Sequence, residues 1–499
     1  MTAARPTTPS PDFTGPVPLE QVLADSPPVR RVDVSVDEVR AGRRLVVLDD
    51  DPTGTQSIAD LPVLTSWSVP DLQWALRQTT PGFFILTNTR SLSEADAAER
   101  NRQVVDALHR AAALEDVSYV LASRSDSTLR GYYPLETDVL TAELAARGTE
   151  VDGVLLCPAY IEPGRVTVNS LHWARTADGM VPVSHTEFAR DASFGYLSSD
   201  LRDWVAEKTA GRIPRDDVAT ITLTDIRTGG PDRVQAILTG LRSAQPVVVD
   251  AAEDADLQVV ALGLLRAEAA GQNFVYRIGP GFVRARSGQT ATPAIDAGRL
   301  AAILAEAPHD PADTRPQTEH GLIAVGSHVG LTTRQLDRLR ARGAITELEL
   351  DVPTLLRPEV WDAHVTDIAT RAAAELRRQD SGCDVVIRTS RTLVTGADAV
   401  DNLRIARTVS AALVNTVREV VDRVRPAFVL AKGGITSSDT ATEGLRIRRA
   451  WSRGTMLPGI VSLWEPVSGP AQGIPYIVFA GNVGDDDALS AVVETLRSV

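Results

Sequence analysis

Three consecutive carboxylates, Asp49, Asp50 and Asp51, run into Pro52-Thr53-Gly54-Thr55-Gln56 and are the first residues whose types point to a reaction. Adjacent carboxylates repel one another, so such a cluster fits a place where substrate hydroxyls, a cation or an arginine compensates it. Beside a hydroxyl, one of these acids is a general base; the alternative is a helix N-cap with surplus acids. The stretch Ser123-Arg124-Ser125-Asp126-Ser127-Thr128-Leu129-Arg130-Gly131 gathers an acid, hydroxyls and two guanidinium groups. That composition suits a small polyhydroxylated anion whose carboxylate meets an arginine fork; otherwise it is a capped loop with solvent-exposed arginines. In Ala431-Lys432-Gly433-Gly434-Ile435-Thr436-Ser437-Ser438-Asp439, paired glycines precede a helix start, where successive backbone N–H groups can point at one phosphate. A tight structural turn is the plain alternative. Gly326-Ser327 and Gly481-Asn482-Val483-Gly484 add two more glycine turns, and together the three suggest a nucleotide seat. Lys432 is one of only two lysines, with Lys208, in a chain of 51 Lys and Arg, which strengthens the phosphate reading. Arg446, Arg448, Arg449 and Arg453 could aid phosphate binding, but a solvated helix face is the favoured reading.

Each of these loops needs an element to present it. Short apolar runs ending in turn residues recur at 45–48, 83–86, 119–121, 154–156, 247–249 and 274–276, with helical patterns such as 94–113 and 256–270 between them. Strands alternating with helices imply an α/β fold with a mainly parallel sheet flanked by helices. The pattern dissolves over 290–319, where only the part near 300–307 looks helical. It then restarts with runs at 322–325, 385–387, 428–430 and 477–479 and helical stretches at 332–342, 402–424 and 486–496. The expected organisation is a flexible N-terminal arm (1–43), an α/β domain (44–290), a linker region (291–318) and a second α/β domain (319–499). Ligands of open parallel sheets bind beyond the carboxyl ends of strands, where all five of these loops fall, so the active site is expected in the interdomain cleft.

Composition narrows the function classes. The 499 residues carry a net charge of −14, which argues against a general nucleic-acid or membrane-surface binder, since these need a dominant basic face. No apolar run approaches the ~18 residues that span a bilayer, and the first forty residues lack a signal-peptide core, so a cytoplasmic location is expected. Cys157 and Cys383 are too far apart for a zinc knuckle and too few for a disulfide framework. There is no Walker A loop, no G-x-G-x-x-G, no H-E-x-x-H and no G-x-S-x-G elbow.

The residues carry a likeness nonetheless. Asp50-Asp51-Pro52-Thr53-Gly54, Asp126-Ser127-Thr128-Leu129-Arg130-Gly131, Gly433-Gly434-Ile435-Thr436 and Gly481-Asn482-Val483-Gly484 jointly resemble the motifs of the four-carbon acid sugar kinase family. Cys157-Pro158-Ala159, Gly164-Arg165 and Phe188-Ala189-Arg190-Asp191 look like the same family, and the stretch 163–208 looks like its longer branch. Two positions depart from the pattern: Arg124 stands where a lysine is common, and Tyr132 where a smaller polar residue is usual. The resemblance implies an acid-sugar-binding domain followed by a nucleotide-binding domain. It implies ATP- and Mg2+-dependent phosphorylation of a hydroxyl on a threonate, an erythronate or a 3-oxo-tetronate. On that basis Arg130, with Arg124, would grip the substrate carboxylate while Asp126 and Ser127 orient its hydroxyls. Asp51 or Asp50 would be the base, with Asp51 favoured. Ser327, Lys432, Gly433, Gly434, Ile435, Thr436, Gly481 and Asn482 would hold the nucleotide, and domain closure would exclude water. The partners expected are a small sugar acid and ATP, with a homodimer possible and neither nucleic acid nor membrane. The competing readings are a sugar-acid sensor without catalysis and an ATP-dependent carboxylate-activating ligase.

Overall fold

A computed structural model describes residues 13–499 apart from 309, 328, 344, 379–382, 391–393 and 395–398. In chain order the first strands are β1 (Arg44–Asp49), β2 (Leu61–Leu64), β3 (Gly82–Leu86), β4 (Tyr119–Arg124), β5 (Gly153–Cys157), β6 (Arg165–Val168), β7 (Leu171–Thr176), β8 (Gly179–Pro182), β9 (Ala219–Ile221), β10 (Gln245–Val249) and β11 (Phe274–Ile278). They are followed by β12 (Leu322–Val325), β13 (Ile345–Leu350), β14 (Asp384–Thr389), β15 (Val429–Lys432), β16 (Arg449–Leu457), β17 (Ile460–Pro466) and β18 (Tyr476–Phe479). The chain forms two compact units, residues 1–50 with 67–291 and residues 51–66 with 292–499.

The first unit is built on a parallel sheet of order β3-β1-β4-β11-β5-β10-β9. Helices on both faces bury such strands completely, which is why β1 reads as the unbroken run Leu45-Val46-Val47-Leu48, each at most 3% exposed. The helix Glu94–Glu115 follows β3; Ser93 caps its start by accepting from the Asp96 N–H, and Asp116 ends it in the left-handed region. An antiparallel sheet β6-β7-β8 lies within the stretch that follows β5. From Phe13 on, the proline-rich stretch expected as a loose arm is anchored to this unit. Val17 bridges to Met180, Arg30 donates to the Thr228 carbonyl, and Ser35 and Glu38 form a capping box on the helix Val36–Ala41.

The second unit has the order β13-β14-β12-β15-β18-β17-β16-β2. From β13 to β18 the pairings are parallel, whereas β17, β16 and β2 extend the sheet antiparallel. Strands β16 and β17 correct the helix-face reading of the arginines around 450. Arg449 and Arg453 lie on β16, where Arg453 pairs with Glu465 of β17 and with Asp60. Alternate burial along β16 is the signature of a strand, masked in the sequence by its arginines. The helices expected at 332–342, 402–424 and 486–496 lie at Gly330–Ala341, Ala399–Arg423 and Ala488–Arg497, while Pro358–Leu376 is a long helix the sequence analysis does not anticipate. Among the described residues no helix is long and apolar enough to cross a membrane.

Candidate functional site

In the first unit the carboxyl ends of β1, β4 and β11 gather a buried ionic network. Asp49, the last residue of β1, accepts from Arg124 Nε at 2.6 Å, and both side chains are almost fully buried. Arg124, expected at the substrate, is thus spent on tying β1 to β4. Asp50 is also buried and is held on both oxygens by Arg90, from Nη2 at 2.6 Å and Nε at 3.1 Å. Arg90 escaped the sequence reading, although it obeys the same rule as the other loops, lying just beyond the carboxyl end of β3.

The loop after β4 closes over this pair. Arg130 donates through Nε to Asp126 Oδ2, and Thr128 donates to the same oxygen. Burial alone would push the Asp126 carboxyl up, but the charges of Arg90 and Arg130 outweigh it and hold the group well below the usual carboxylate range. Gly131 sits at φ +111°, and a Cβ there would come within 3.1 Å of Asp50 Oδ2. Its glycine therefore serves both backbone and space. Ser127 is half-buried, and its carbonyl accepts from His172 Nε2 at 2.8 Å. Burial pushes His172 down to about 4, so its ring is neutral at physiological pH; with the proton on Nε2, Nδ1 accepts from Thr167 at 2.9 Å. His172 on β7 thereby fixes the height of the Asp126–Gly131 loop. Beneath the loop, Glu136 accepts from Thr89 at 2.6 Å and Ser123 at 3.0 Å, and burial, reinforced by Asp50, pushes its carboxyl up.

In the second unit Asp51, only partly buried, caps the turn Pro52–Ser57 by accepting from the Thr53 N–H at 2.9 Å and from the Thr53 hydroxyl. Thr55 anchors that turn to β17, donating to Ser462 at 3.0 Å and accepting from Trp464 Nε1 at 3.0 Å. The three glycine turns expected to hold a nucleotide do converge. A Cβ on Gly326 would lie 2.2 Å from Thr436 Oγ1, one on Gly433 2.9 Å from the same oxygen, and one on Gly481 2.5 Å from Ser327 Oγ. Gly433 also holds φ +133°, so any side chain there is strained twice over. A Cβ on Gly434, by contrast, meets nothing within 4 Å: the space beside that backbone is open. Thr332 donates to the Gly481 carbonyl at 3.0 Å, and Gln335 Nε2 donates to the carbonyls of Val483 and Asp485, which fixes the last turn. Asn482 is exposed on that turn. The side chain of Ile435 lies outside what the structure describes.

Lys432 faces inward. Its ammonium donates to the Ala480 carbonyl at 2.9 Å and lies 3.7 Å from the centre of the Phe479 ring. Burial pushes it down to about 7. In this arrangement it joins β15 to the residue preceding Gly481. Among the described residues no three His, Cys, Asp or Glu side chains form a group that could hold a metal ion.

Comparison with known proteins matches residues 45–286 to a family described as sugar-binding N-terminal domain and residues 322–489 to one described as nucleotide-binding C-terminal domain. A D-threonate kinase of Bordetella bronchiseptica is 26% identical over 475 residues, covering 91% of this chain and 98% of that protein. Among solved structures, Haemophilus influenzae protein HI1011 aligns with a TM-score of 0.59 over 90% of this chain and 100% of its own, at 18% identity. A putative tRNA synthase of Salmonella typhimurium LT2 aligns with a TM-score of 0.63 at 18% identity, covering 90% and 98% of the two chains. These two structures bear on the fold alone.

Two outcomes follow from the geometry. Arg124→Met strands the Asp49 carboxylate and should cost about 3–5 kcal/mol of stability, read as a drop in chemical-denaturation midpoint. A midpoint close to wild type would return Arg124 to the list of ligand residues. Lys432, lowered from 10.5 to about 7, is unprotonated in the folded state where the unfolded chain still binds the proton. Unfolding free energy should therefore climb as pH rises from about 7 to about 10.5, and Lys432→Met should flatten that climb.

Proposed function

The chain belongs to the four-carbon acid sugar kinase family, and we propose that it transfers the γ-phosphoryl group of ATP to a hydroxyl of a four-carbon sugar acid of the threonate, erythronate or 3-oxo-tetronate type. The observation that carries this reading is the chemistry at the strand ends of each unit. Acid, hydroxyl and guanidinium groups crowd one loop cluster of the sugar-binding match, and in the nucleotide-binding match three glycine turns pack around the Ser327 and Thr436 hydroxyls, with open space beside Gly434. The similarity to a D-threonate kinase supports threonate as the first acceptor to test.

In this reading Arg130, about 30% exposed, meets the acid from the rim of its loop, with Asp126 and Ser127 beside the hydroxyls. Asp50 is a poor base because both its oxygens are engaged by Arg90. Asp51 is the better candidate. It takes the hydroxyl proton as that oxygen bonds to the γ-phosphorus; the bond from phosphorus to the bridging β,γ-oxygen breaks, and ADP leaves. Ser327, Gly433, Gly434, Thr436, Gly481 and Asn482 border the space for the polyphosphate. The donor is the Mg2+ complex of ATP, and a cation carried in on phosphates and water needs at most one or two protein carboxylates. Phosphoryl transfer depends chiefly on positioning and charge neutralisation; the N–H groups of Gly326 and Gly433 are engaged by the carbonyls of Lys432 and Phe479, so the phosphates are met at the open backbone beside Gly434.

ADP release measured against threonates, erythronates and 3-oxo-tetronates, with product mass spectrometry, tests the reading; silence with every acid would overturn it. Asp51→Asn should lower kcat by about 10²- to 10⁴-fold while nucleotide binding persists, and near-wild-type turnover would remove Asp51 as the base. Gly433→Ala should raise the KM for ATP by roughly tenfold or more, since the residue must strain its backbone and displace Thr436. The acceptor KM should stay unchanged.

A further inference from the structure

Arg277 is the penultimate residue of β11, a central strand of its sheet, and is only 5% exposed. Its guanidinium lies over the rings of Tyr133 and Trp204, 5.4 and 5.6 Å from their centres, and those rings stack on each other at 4.6 Å. Nη2 reaches the Arg130 carbonyl at 3.4 Å. Nη1 is buried and has no hydrogen-bond partner. The nearest carboxylate oxygen, on Glu136, is 3.8 Å away, beyond hydrogen-bond range, and the Glu136 oxygens already accept from Thr89 and Ser123.

A buried cationic N–H left unmade is expensive and calls for an explanation, a water or a ligand group among them; Arg165 Nε and two N–H groups of Arg286 share that state, and for Arg277 the cavity beside it supplies the explanation. Arg277 borders a small cavity of about 10 Å³ that is also walled by Ser125, Asp126, Leu156 and Trp204. That is room for one water-sized group, and a single carboxylate oxygen is of that size. Asp126, the acid facing the cavity, is already neutralised by Arg130 and Thr128.

We propose that Nη1 of Arg277 is the inner contact for the acceptor's carboxylate and the group by which the site separates a sugar acid from the matching polyol. This rests on the sugar-acid kinase reading. Arg130 meets the acid at the rim, and Arg277 takes one of its oxygens at the bottom. A neutral alcohol leaves the buried guanidinium unpaired and is rejected for that reason.

The test compares threonate with threitol. For the wild type, threonate should raise the melting temperature in the absence of nucleotide and threitol should not; lack of an acid-selective shift overturns the assignment. Arg277→Met should reduce the threonate-over-threitol ratio of kcat/KM by at least about tenfold with the KM for ATP unchanged. Glu136→Gln removes the competing carboxylate while keeping the two hydroxyl contacts, and should lower the threonate KM severalfold. A folded Arg277→Met protein with unaltered discrimination, or one that loses both ligands equally, means the cavity holds only an ordered water and overturns the proposal. If Arg277→Met does not fold, Glu136→Gln decides, and an unchanged or raised threonate KM counts against Arg277. Failure of the kinase reading is distinct: the wild type would then release no ADP with any acid, while the melting shifts still report on Arg277.

Discussion

Charge buried at the carboxyl edge of a parallel sheet has to be compensated within hydrogen-bond reach, and this requirement organises the first unit. Asp49 takes Arg124, Asp50 takes Arg90, and Asp126 takes Arg130. Each pairing ties an element to its neighbour: β4 to β1, the turn after β3 to the end of β1, and the Asp126–Gly131 loop to itself. Single exposed ion pairs contribute little. The carboxylates of Asp49 and Asp50 are buried, and removing the arginine of either leaves a charge that water cannot reach; Arg130 keeps about 30% of its side chain exposed. Arg277 is paired less completely, with one N–H that lacks a hydrogen-bond partner beside a small cavity, and that combination is what suggests a ligand.

The second unit solves a different problem, the close approach of three backbone turns. Gly326 and Gly433 both press on Thr436, and Gly481 presses on Ser327, so the space each side chain would need is already filled. Polar side chains then fix the turns from behind: Thr332 and Gln335 through carbonyls of the last turn, Lys432 through Ala480. The hydroxyls of Thr436 and Ser327 fill the space between the turns, and open backbone remains beside Gly434.

Most of the parallel strands could be read directly because burial on both faces makes them short uninterrupted apolar runs, as at Leu45–Leu48 or Leu322–Val325. Strands with one exposed face were harder. β13 carries Glu347 and Glu349, β16 carries Arg449 and Arg453, and the β6-β7-β8 hairpins are too short to show a period. The motif loops were legible as chemistry, since glycine, acid and hydroxyl at strand ends have few structural uses. Which charge faces which partner was not. Arg124 and Arg130 sit six residues apart in one motif, yet one is locked under the sheet edge and the other lies partly exposed. Arg90, Glu136 and Arg277 come from three separate segments, and only the folded register brings them together. Lys432 stands out in the sequence by its rarity, but its inward course depends on the β15–β18 pairing.

The route of the backbone has a consequence for any attempt to dissect the molecule. It leaves the first unit after Asp50, returns after Ser66 and leaves again after Ala291. A fragment ending at residue 291 would carry β2 without β16, the strand it pairs with, and would expose an unsatisfied ladder. Exchanging one half for that of a relative therefore takes three splice points instead of one. The neighbouring aspartates 50 and 51 would be inherited from different parents.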